Sequence, residues 1–492
     1  MFFRMTLFDR ELTNDMQTQQ RIRTAALILV FILAAGYLYL YLAKTNDEMP
    51  LMDFYLGFEA FADKVFSNQL TTADFFTIPH ALHWNPVGAL MLVFFMKVFH
   101  CNNLAYVYTG MVFLLCSVAL VLRWLAKRVQ MNRLLPEVFF GIVCAMCLLN
   151  LNQWEILDLY CSPVFMLRLF CYLLTFYLLD GMLLKPDTDM RRNVLKSCGL
   201  GLLSAVIVII LSAAYYPGYV AAVTAILVLY FFLSKDSKTV KYTRIPILML
   251  LIAGAAFTFL TTASNSGIAN GTVNIGDYIK GFFVMLGSTV IPLELLNEGY
   301  TVHIAAGIVI FLLTVESLVV FFKDKLYTKS WLPLGCLVYA GVSVIIIIYG
   351  RADSLGFGTV VSSRYVTETT LGLLGIVMIQ AMFVSNHLGV KRRGPVIACT
   401  IGVAVSLCVT GLLILANAAE QKTGPYRKIY YQSMAIYAMD IDNATDEQLS
   451  LFQAPANEVR NAVRAMKKYK LCLWNEGSAY YPQTSLQAGE GN

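Results

Sequence analysis

Long apolar stretches separated by short polar ones run along most of the chain. The first, "TAALILVFILAAGYLYLYLA" from Thr24 to Ala43, has about the length that an α-helix needs to cross roughly 30 Å of hydrocarbon. Comparable stretches follow at about 104–122, 136–150, 163–184, 198–214, 217–233, 245–262, 302–322, 331–349, 366–385 and 395–417. The pattern predicts an all-α polytopic membrane protein with about eleven transmembrane helices.

The composition supports this assignment. Of the 492 residues, 58% are hydrophobic and only 14% are charged, which is too little polar surface for a soluble protein of this length. Most of the eleven cysteines lie inside apolar stretches, and Cys144 and Cys147 lack the second pair or the nearby histidines that a metal or redox site requires. The cysteines are therefore interpreted as small packing residues.

Lysine and arginine indicate the orientation, because short cytoplasmic loops carry the positive excess. Arg21 and Arg23 place the N-terminus in the cytoplasm, and the further basic loops are 123–133, 185–196, 234–244, 323–329 and 391–394. The short apolar segment 85–100 cannot cross the membrane without moving the loop 123–133 outside. It is predicted to be a juxtamembrane helix in the outer interface, in the first loop.

This topology divides the chain into three parts. Residues 1–23 form a cytoplasmic segment, residues 24–417 form the transmembrane domain with a long first outer loop at 44–103, and residues 418–492 form a small extracytoplasmic segment. The cytoplasmic loops are short and basic and contain no P-loop or other nucleotide cradle. Any chemistry is therefore expected on the outer face.

The C-terminal segment is predicted to be helical. "TDEQ" at 445–448 matches a capping box, and "APANEVRNAVRAMKKYK" has the spacing of an amphipathic helix. Its apolar positions Val459, Val463 and Met466 should pack over the outer loops.

Several motifs together resemble the GT-C superfamily of integral-membrane glycosyltransferases. Acidic residues follow the first span, and "HALHWNP" then leads into the juxtamembrane helix. "NQWEILDLYCSPVFMLRLF", "GRADSLGFGTVVSSRYVTETTLGLLGI" and the tail "DEQLSLFQAPANEVRNAVRAMKKYKLCLW" are similar to stretches of bacterial members, including glucosyltransferases that modify O-antigen. The His-Pro-Pro pattern of protein mannosyltransferases and the "WWDYG" motif of oligosaccharyltransferases are absent, which argues against both narrower assignments.

The resemblance implies what the protein acts on and where. The expected donor is a polyprenyl-phosphate-linked sugar, a hexose such as glucose. The expected acceptor is a lipid-linked or surface polysaccharide such as the O-antigen of lipopolysaccharide. The expected location is the outer face of a bacterial inner membrane, with membrane lipid as a partner and without nucleic acid. No cofactor is expected, and the need for a divalent metal stays open.

Three carboxylates in the first loop are candidates for the catalytic base. Transfer of a sugar to a hydroxyl needs a base near that hydroxyl, and a carboxylate supplies one. Asp53 is ranked first, ahead of Asp47 and Glu48. The alternatives are that Asp53 only caps the helix predicted in "DFYLGFEAFADKVF" and that Asp47 and Glu48 are solvated loop charges.

Arginines are the candidates for holding the phosphate, because the planar guanidinium matches phosphate oxygens bidentately. Arg364 in "SSRY" is favoured over Arg351, and Tyr365 lies beside it. Arg364 and Tyr365 are equally interpretable as interfacial anchors. Arg168 lies inside an apolar stretch, where a charge either faces a wet cavity or forms a structural ion pair.

The remaining substrate-binding candidates are His80, His83, Trp84 and Glu155. Two histidines without a third ligand make a poor metal site, so they are assigned to packing or to substrate binding. Trp84 could stack on a sugar ring. Glu155 could accept hydrogen bonds from sugar hydroxyls or be an ordinary solvated residue.

Three other functions fit many of the same features. A polytopic transporter or lipid flippase also has many spans, although such proteins often show related halves or broken spans at matching positions. A polysaccharide polymerase shares the outer-face chemistry, and a structural role without catalysis also fits.

Overall fold

The computed structural model describes residues 2–76, 86–131, 133–211, 216–262, 275–292, 295, 299–355, 360–388 and 393–481. Within these ranges the regular structure is helical. The α-helices, in chain order, are α1 Phe2–Thr45, α2 Phe58–Phe66, α3 Pro86–Val98, α4 Asn103–Trp124, α5 Leu134–Leu148, α6 Trp154–Asp158, α7 Ser162–Leu184, α8 Met190–Leu211, α9 Tyr216–Leu233, α10 Lys238–Tyr242, α11 Ile245–Thr262, α12 Ile275–Ser288, α13 Thr301–Lys323, α14 Leu332–Leu355, α15 Val366–His387, α16 Arg393–Met439, α17 Asp446–Leu449 and α18 Ala456–Lys468.

Eleven helical segments in the described part of the chain are long and apolar enough to cross a membrane. Each overlaps one stretch predicted from the sequence, so the all-α, eleven-span prediction is confirmed. The apolar segment near residue 90 forms the 13-residue helix α3, which is too short to be among the eleven.

Helix α15 lies at the centre of the bundle. In its most apolar stretch 94% of the residues are buried, more than in any other spanning helix of the described chain. Several of its polar side chains form hydrogen bonds to neighbouring parts of the chain. Thr367 donates to Gln153 (2.9 Å), and Gln380 donates to Glu316 of α13 (2.7 Å). These pairs satisfy groups that would be costly to bury alone.

Helix α16 runs without interruption past Asn417, the predicted end of the last span, to Met439. It accommodates Pro425 in its interior. A Cβ on Gly424 would come within 2.8 Å of Cγ2 of Thr45, so glycine permits the close approach of α16 to the end of α1. The last span therefore continues directly into the C-terminal segment.

Helices α2 and α18 pack against each other in a separate apolar core at the end of the bundle that carries Asp53, which we call the Asp53 end. Val459, Val463 and Met466 of α18 are fully buried, as predicted. The ring of Phe66 stacks on Tyr469 with centroids 4.4 Å apart. The predicted capping box is present, with Thr445 and Gln448 bonding to each other's backbone amides.

Candidate active site

A mostly apolar cavity of about 180 Å³ lies at the Asp53 end, between the first loop, α2, α3 and the start of α7. Most of its lining is aliphatic or aromatic. Four charged side chains among the described residues also line it: Asp53, Arg168, Arg351 and Arg364. The folded chain thus brings four of the sequence candidates, from distant positions, to one cavity.

The backbone around Asp53 has a tightly fixed conformation. Asp53 lies in the 3-10 turn Met52–Tyr55, and both Met52 (φ 62°) and Gly57 (φ 64°) are left-handed. Phe54 and Tyr55 are buried, and the Tyr55 hydroxyl donates to the carbonyl of Pro50 (2.7 Å). Because its neighbours are anchored, the half-buried Asp53 side chain is held at the cavity wall.

Asp53 does not cap the amphipathic helix that follows it. That helix, α2, begins at Phe58, and its N-cap is Gly57. Among the described residues we find no hydrogen bond or ion pair to the Asp53 carboxylate. Burial, with contributions from nearby charges including Asp53, holds the pKa of Tyr160 well above its ordinary value, so this cavity-lining phenol is neutral at physiological pH.

Arg364 is fixed by Glu155. The Arg364 guanidinium lies 2.8 Å from a carboxylate oxygen of Glu155, and its Nε donates to the Ser362 hydroxyl (2.9 Å). The same carboxylate accepts hydrogen bonds from Ser362, Ser363 and the backbone amide of Arg364. Glu155 is buried whereas Arg364 is 40% exposed, so the carboxylate orients an arginine that still faces the cavity.

The other two arginines differ in their surroundings. Arg168 is buried, forms an ion pair with Glu368 of α15, and lies over the ring of Phe165 at 4.6 Å. The Tyr339 hydroxyl donates to the same Glu368. Arg351, at the end of a spanning helix, hydrogen-bonds to the buried Tyr365. Arg168 thus has the structural ion pair anticipated from the sequence and also reaches the cavity.

Asp47 and Glu48 lie away from this cavity wall and bind the C-terminal segment. Asp47 accepts from the Tyr480 hydroxyl (3.1 Å). Glu48 accepts from the Ser478 hydroxyl (2.5 Å) and from the backbone amide of Ala479 (3.1 Å). Both side chains are more than 90% buried, so in the structure they are not solvated loop charges.

His80, His83 and Trp84 lie outside the described residues. Within the described ranges, no group of three or more His, Cys, Asp or Glu side chains is arranged to hold a metal ion.

A charged cluster around Arg427 was not predicted from the sequence. Arg427 of α16 pairs with Asp158 (3.1 Å) and with Glu420, and it lies over the Trp154 ring at 4.1 Å. The Tyr41 hydroxyl of α1 donates to Glu420 (2.8 Å). The only signal is the spacing of Glu420 and Arg427 by seven residues, which places them on one face if a helix continues there, but Gly424 and Pro425 between them are residues typical of a helix break.

No protein-family model matches the chain, and no curated protein sequence matches it. Two solved structures of similar shape are those of ArnT from Cupriavidus metallidurans, in the apo state and bound to undecaprenyl phosphate. The apo structure gives a TM-score of 0.43 at 11% identity, covering 87% of this chain and 84% of that one. The bound structure gives 0.43 at 10% identity, covering 90% and 88%. Scores of this size do not establish a shared fold, so the proposed function rests on the chain's own residues.

Proposed function

We propose that this chain is an integral-membrane glycosyltransferase that moves a sugar from a polyprenyl-phosphate donor to a polysaccharide acceptor. The sugar is a hexose such as glucose, and the acceptor is a lipid-linked or surface glycan such as O-antigen. The reaction takes place on the outer face of the bacterial inner membrane, in line with the resemblance of the sequence motifs to the GT-C superfamily.

The observation that carries the proposal is the shared cavity of Asp53, Arg351 and Arg364. A polyprenyl-phosphate sugar has an apolar chain, an anionic phosphate and a polar sugar, and the cavity offers an apolar wall, guanidinium groups and a carboxylate. Arginine suits the phosphate because its donors match two oxygens at once. Among the described residues the Asp53 carboxylate has no hydrogen-bond or ion-pair partner, which suits it to accept a proton from a substrate hydroxyl.

The proposed reaction is a single displacement. Asp53 takes the proton of the acceptor hydroxyl, the hydroxyl oxygen attacks the anomeric carbon of the sugar, and the bond from that carbon to the phosphate oxygen breaks. The bonding electrons leave with the phosphate, and Arg364 and Arg351 stabilise the added charge. The products are the glycosylated acceptor and polyprenyl phosphate. A single displacement inverts the configuration at the anomeric carbon and needs only one carboxylate, the base.

Glu155 and Arg168 have supporting roles in this scheme. Glu155 holds the Arg364 guanidinium in a fixed direction, so less side-chain entropy is lost when the phosphate binds. Arg168, neutralised by Glu368, adds hydrogen-bond donors to the cavity wall without a large net charge.

Reconstitution tests the proposal. The purified chain in liposomes is given radiolabelled polyprenyl-phosphate glucose with lipopolysaccharide as acceptor, and in a parallel sample UDP-glucose replaces the lipid donor. We expect label in the polysaccharide with the lipid donor only. Transbilayer movement of the lipid donor without any sugar transfer would instead identify a flippase and overturn the proposal.

A further inference from the structure

Two cysteines from opposite ends of the sequence meet at the Asp53 end. Cys101 lies between α3 and α4, and Cys472 begins a 3-10 helix, Cys472–Trp474, after α18. Both are buried, and both are present as free thiols in the structure. They belong to the same apolar core, the one that joins the first loop to the C-terminal segment.

The backbones of the two cysteines are in direct contact. The Cys472 amide donates to the carbonyl of His100, the residue before Cys101, at 2.5 Å. With standard peptide dimensions this hydrogen bond holds the Cα atoms of Cys101 and Cys472 within about 7 Å of each other. Disulfide-linked cysteines have Cα atoms roughly 4.4–6.8 Å apart, so the limit set by this hydrogen bond is compatible with a disulfide.

One backbone carbonyl, that of Glu48, contacts both segments. The Cys472 thiol lies 3.3 Å from the carbonyl oxygen of Glu48, and the amide of Asn103, two residues after Cys101, donates to that same oxygen (2.9 Å). Cys101 and Cys472 also both have left-handed backbones, with φ of 59° and 50°. Non-glycine residues adopt this conformation rarely, so the surrounding structure fixes the backbone at both positions.

We propose that Cys101 and Cys472 form a disulfide that fastens the C-terminal segment to the first loop. The proposal rests on the outer orientation of both segments given above, because only an oxidising compartment keeps such a bond. It does not depend on the glycosyltransferase activity.

The bond forms by exchange with an oxidised dithiol oxidoreductase, which accepts the electrons. One cysteine thiolate attacks a sulfur of the oxidant's disulfide and gives a mixed disulfide. The second thiolate displaces the oxidant, so two protein thiols are oxidised and one disulfide is reduced to two thiols. Each protein thiol loses one proton.

Burial of the two thiols indicates when the disulfide forms. It raises the pKa of Cys101 to about 12 and that of Cys472 well above its ordinary value, so the docked thiols stay protonated and unreactive. Oxidation therefore accompanies docking of the C-terminal segment during biogenesis. The link joins positions 371 residues apart (472 minus 101), a loop long enough for the constraint on the unfolded chain to be large.

The test counts thiols in the full chain taken directly from membranes. Cells are quenched in acid, and the protein is denatured with and without reductant and labelled with maleimide-polyethylene glycol. The chain has eleven cysteines. We expect nine labels without reductant and eleven with it, and a tryptic peptide pair joining Cys101 to Cys472 by mass spectrometry.

Cysteine-to-alanine variants identify which two cysteines form the disulfide. Cys101→Ala and Cys472→Ala should each give ten labels whether or not reductant is present. Cys116→Ala, at an exposed position on α4, is the matched control and should keep the reductant-dependent difference of two. Eleven labels on the unreduced parent, or a cross-link between other cysteines, overturns the proposal. The parent measurement needs no substitution, and it can fail while sugar transfer succeeds.

Discussion

At the residue scale, the partners of the acidic side chains separate one carboxylate from the rest. Asp47 and Glu48 bind the C-terminal segment, Glu155 binds Arg364, and Asp158 binds Arg427. Asp53 has no such partner among the described residues and lines the cavity. The sequence identified Asp47, Glu48, Asp53 and Glu155 as candidates but could not separate their roles, because the partners of Asp47, Glu48 and Glu155 lie hundreds of residues away along the chain.

The Glu155 and Arg364 pair gives a prediction about coupling. Glu155→Gln keeps the size and the acceptor for Ser362 and Ser363 but removes the charge that orients Arg364. We expect a higher KM for the lipid donor in Glu155→Gln and in Arg364→Ala, and only partial recovery in Arg364→Lys, which lacks the planar fork. The measurement is donor-dependent transfer kinetics, with the exposed Lys97→Ala of α3 as the matched control.

The double variant Glu155→Gln/Arg364→Ala, compared with the two single variants, tests the positioning role of Glu155. If Glu155 acts by positioning Arg364, its substitution should have little further effect in an Arg364→Ala background, because the group it positions is gone. Effects that simply add would show that the two residues act independently and would remove the positioning role.

At the element scale, the sequence predicted α3, the capping box of α17 and the buried face of α18 from local patterns. It placed α2 too early, because Gly57 ends the turn of Asp53 before the helix starts, and it did not foresee that the helix of the last span continues past Asn417 to Met439. At both positions the tertiary structure favours a glycine. Gly57 adopts a left-handed turn, and Gly424 passes close to Thr45.

The contact between α2 and α18 predicts a pH dependence. Hydrogen bonds from Tyr469 and then Lys468 lower the pKa of Asp63 below its ordinary value of 3.8. A carboxylate with a lowered folded pKa stabilises the docked form above the unfolded pKa and loses this contribution as pH falls through the folded value. Docking of α18 should therefore weaken below about pH 4.

Hydrogen exchange of residues 456–469, corrected for intrinsic rates, measures this effect. The Lys468 and Asp63 side chains are 61% and 45% exposed, so solvent screens the interaction and the change should be small, up to about fivefold in exchange rate. Asp63→Asn should exchange faster at neutral pH and should lack the parent's additional change below pH 4. An identical pH profile in both proteins would show that Asp63 does not hold α18.

At the scale of the whole molecule, the number and order of spans were predictable because apolar length is a local property of the sequence. The convergence of Asp53, Arg351 and Arg364 was not, since it depends on how the helices pack. The chemistry expected of a base and a phosphate ligand suggested the individual residues, and the structure shows that they share a cavity.

The orientation of the molecule is a further prediction. The basic loops place the N-terminus in the cytoplasm, and eleven spans then place the C-terminus outside. A tag at the C-terminus should be accessible from the outer side of intact spheroplasts. Tags at the N-terminus and in the loop 185–196 should require permeabilisation. Both termini on the same side would contradict the eleven-span topology.

The most direct test of the central claim is the rate of sugar transfer by Asp53→Asn. The substitution keeps the size of the side chain and discards its basicity. We predict a fall in kcat of about a hundredfold or more, the usual scale for a positioned base, with a near-normal KM for the lipid donor and normal membrane levels. Glu59→Gln, an exposed acid of α2 in the same loop, should behave like the parent. Parent-level transfer by Asp53→Asn would contradict the assignment of the catalytic base.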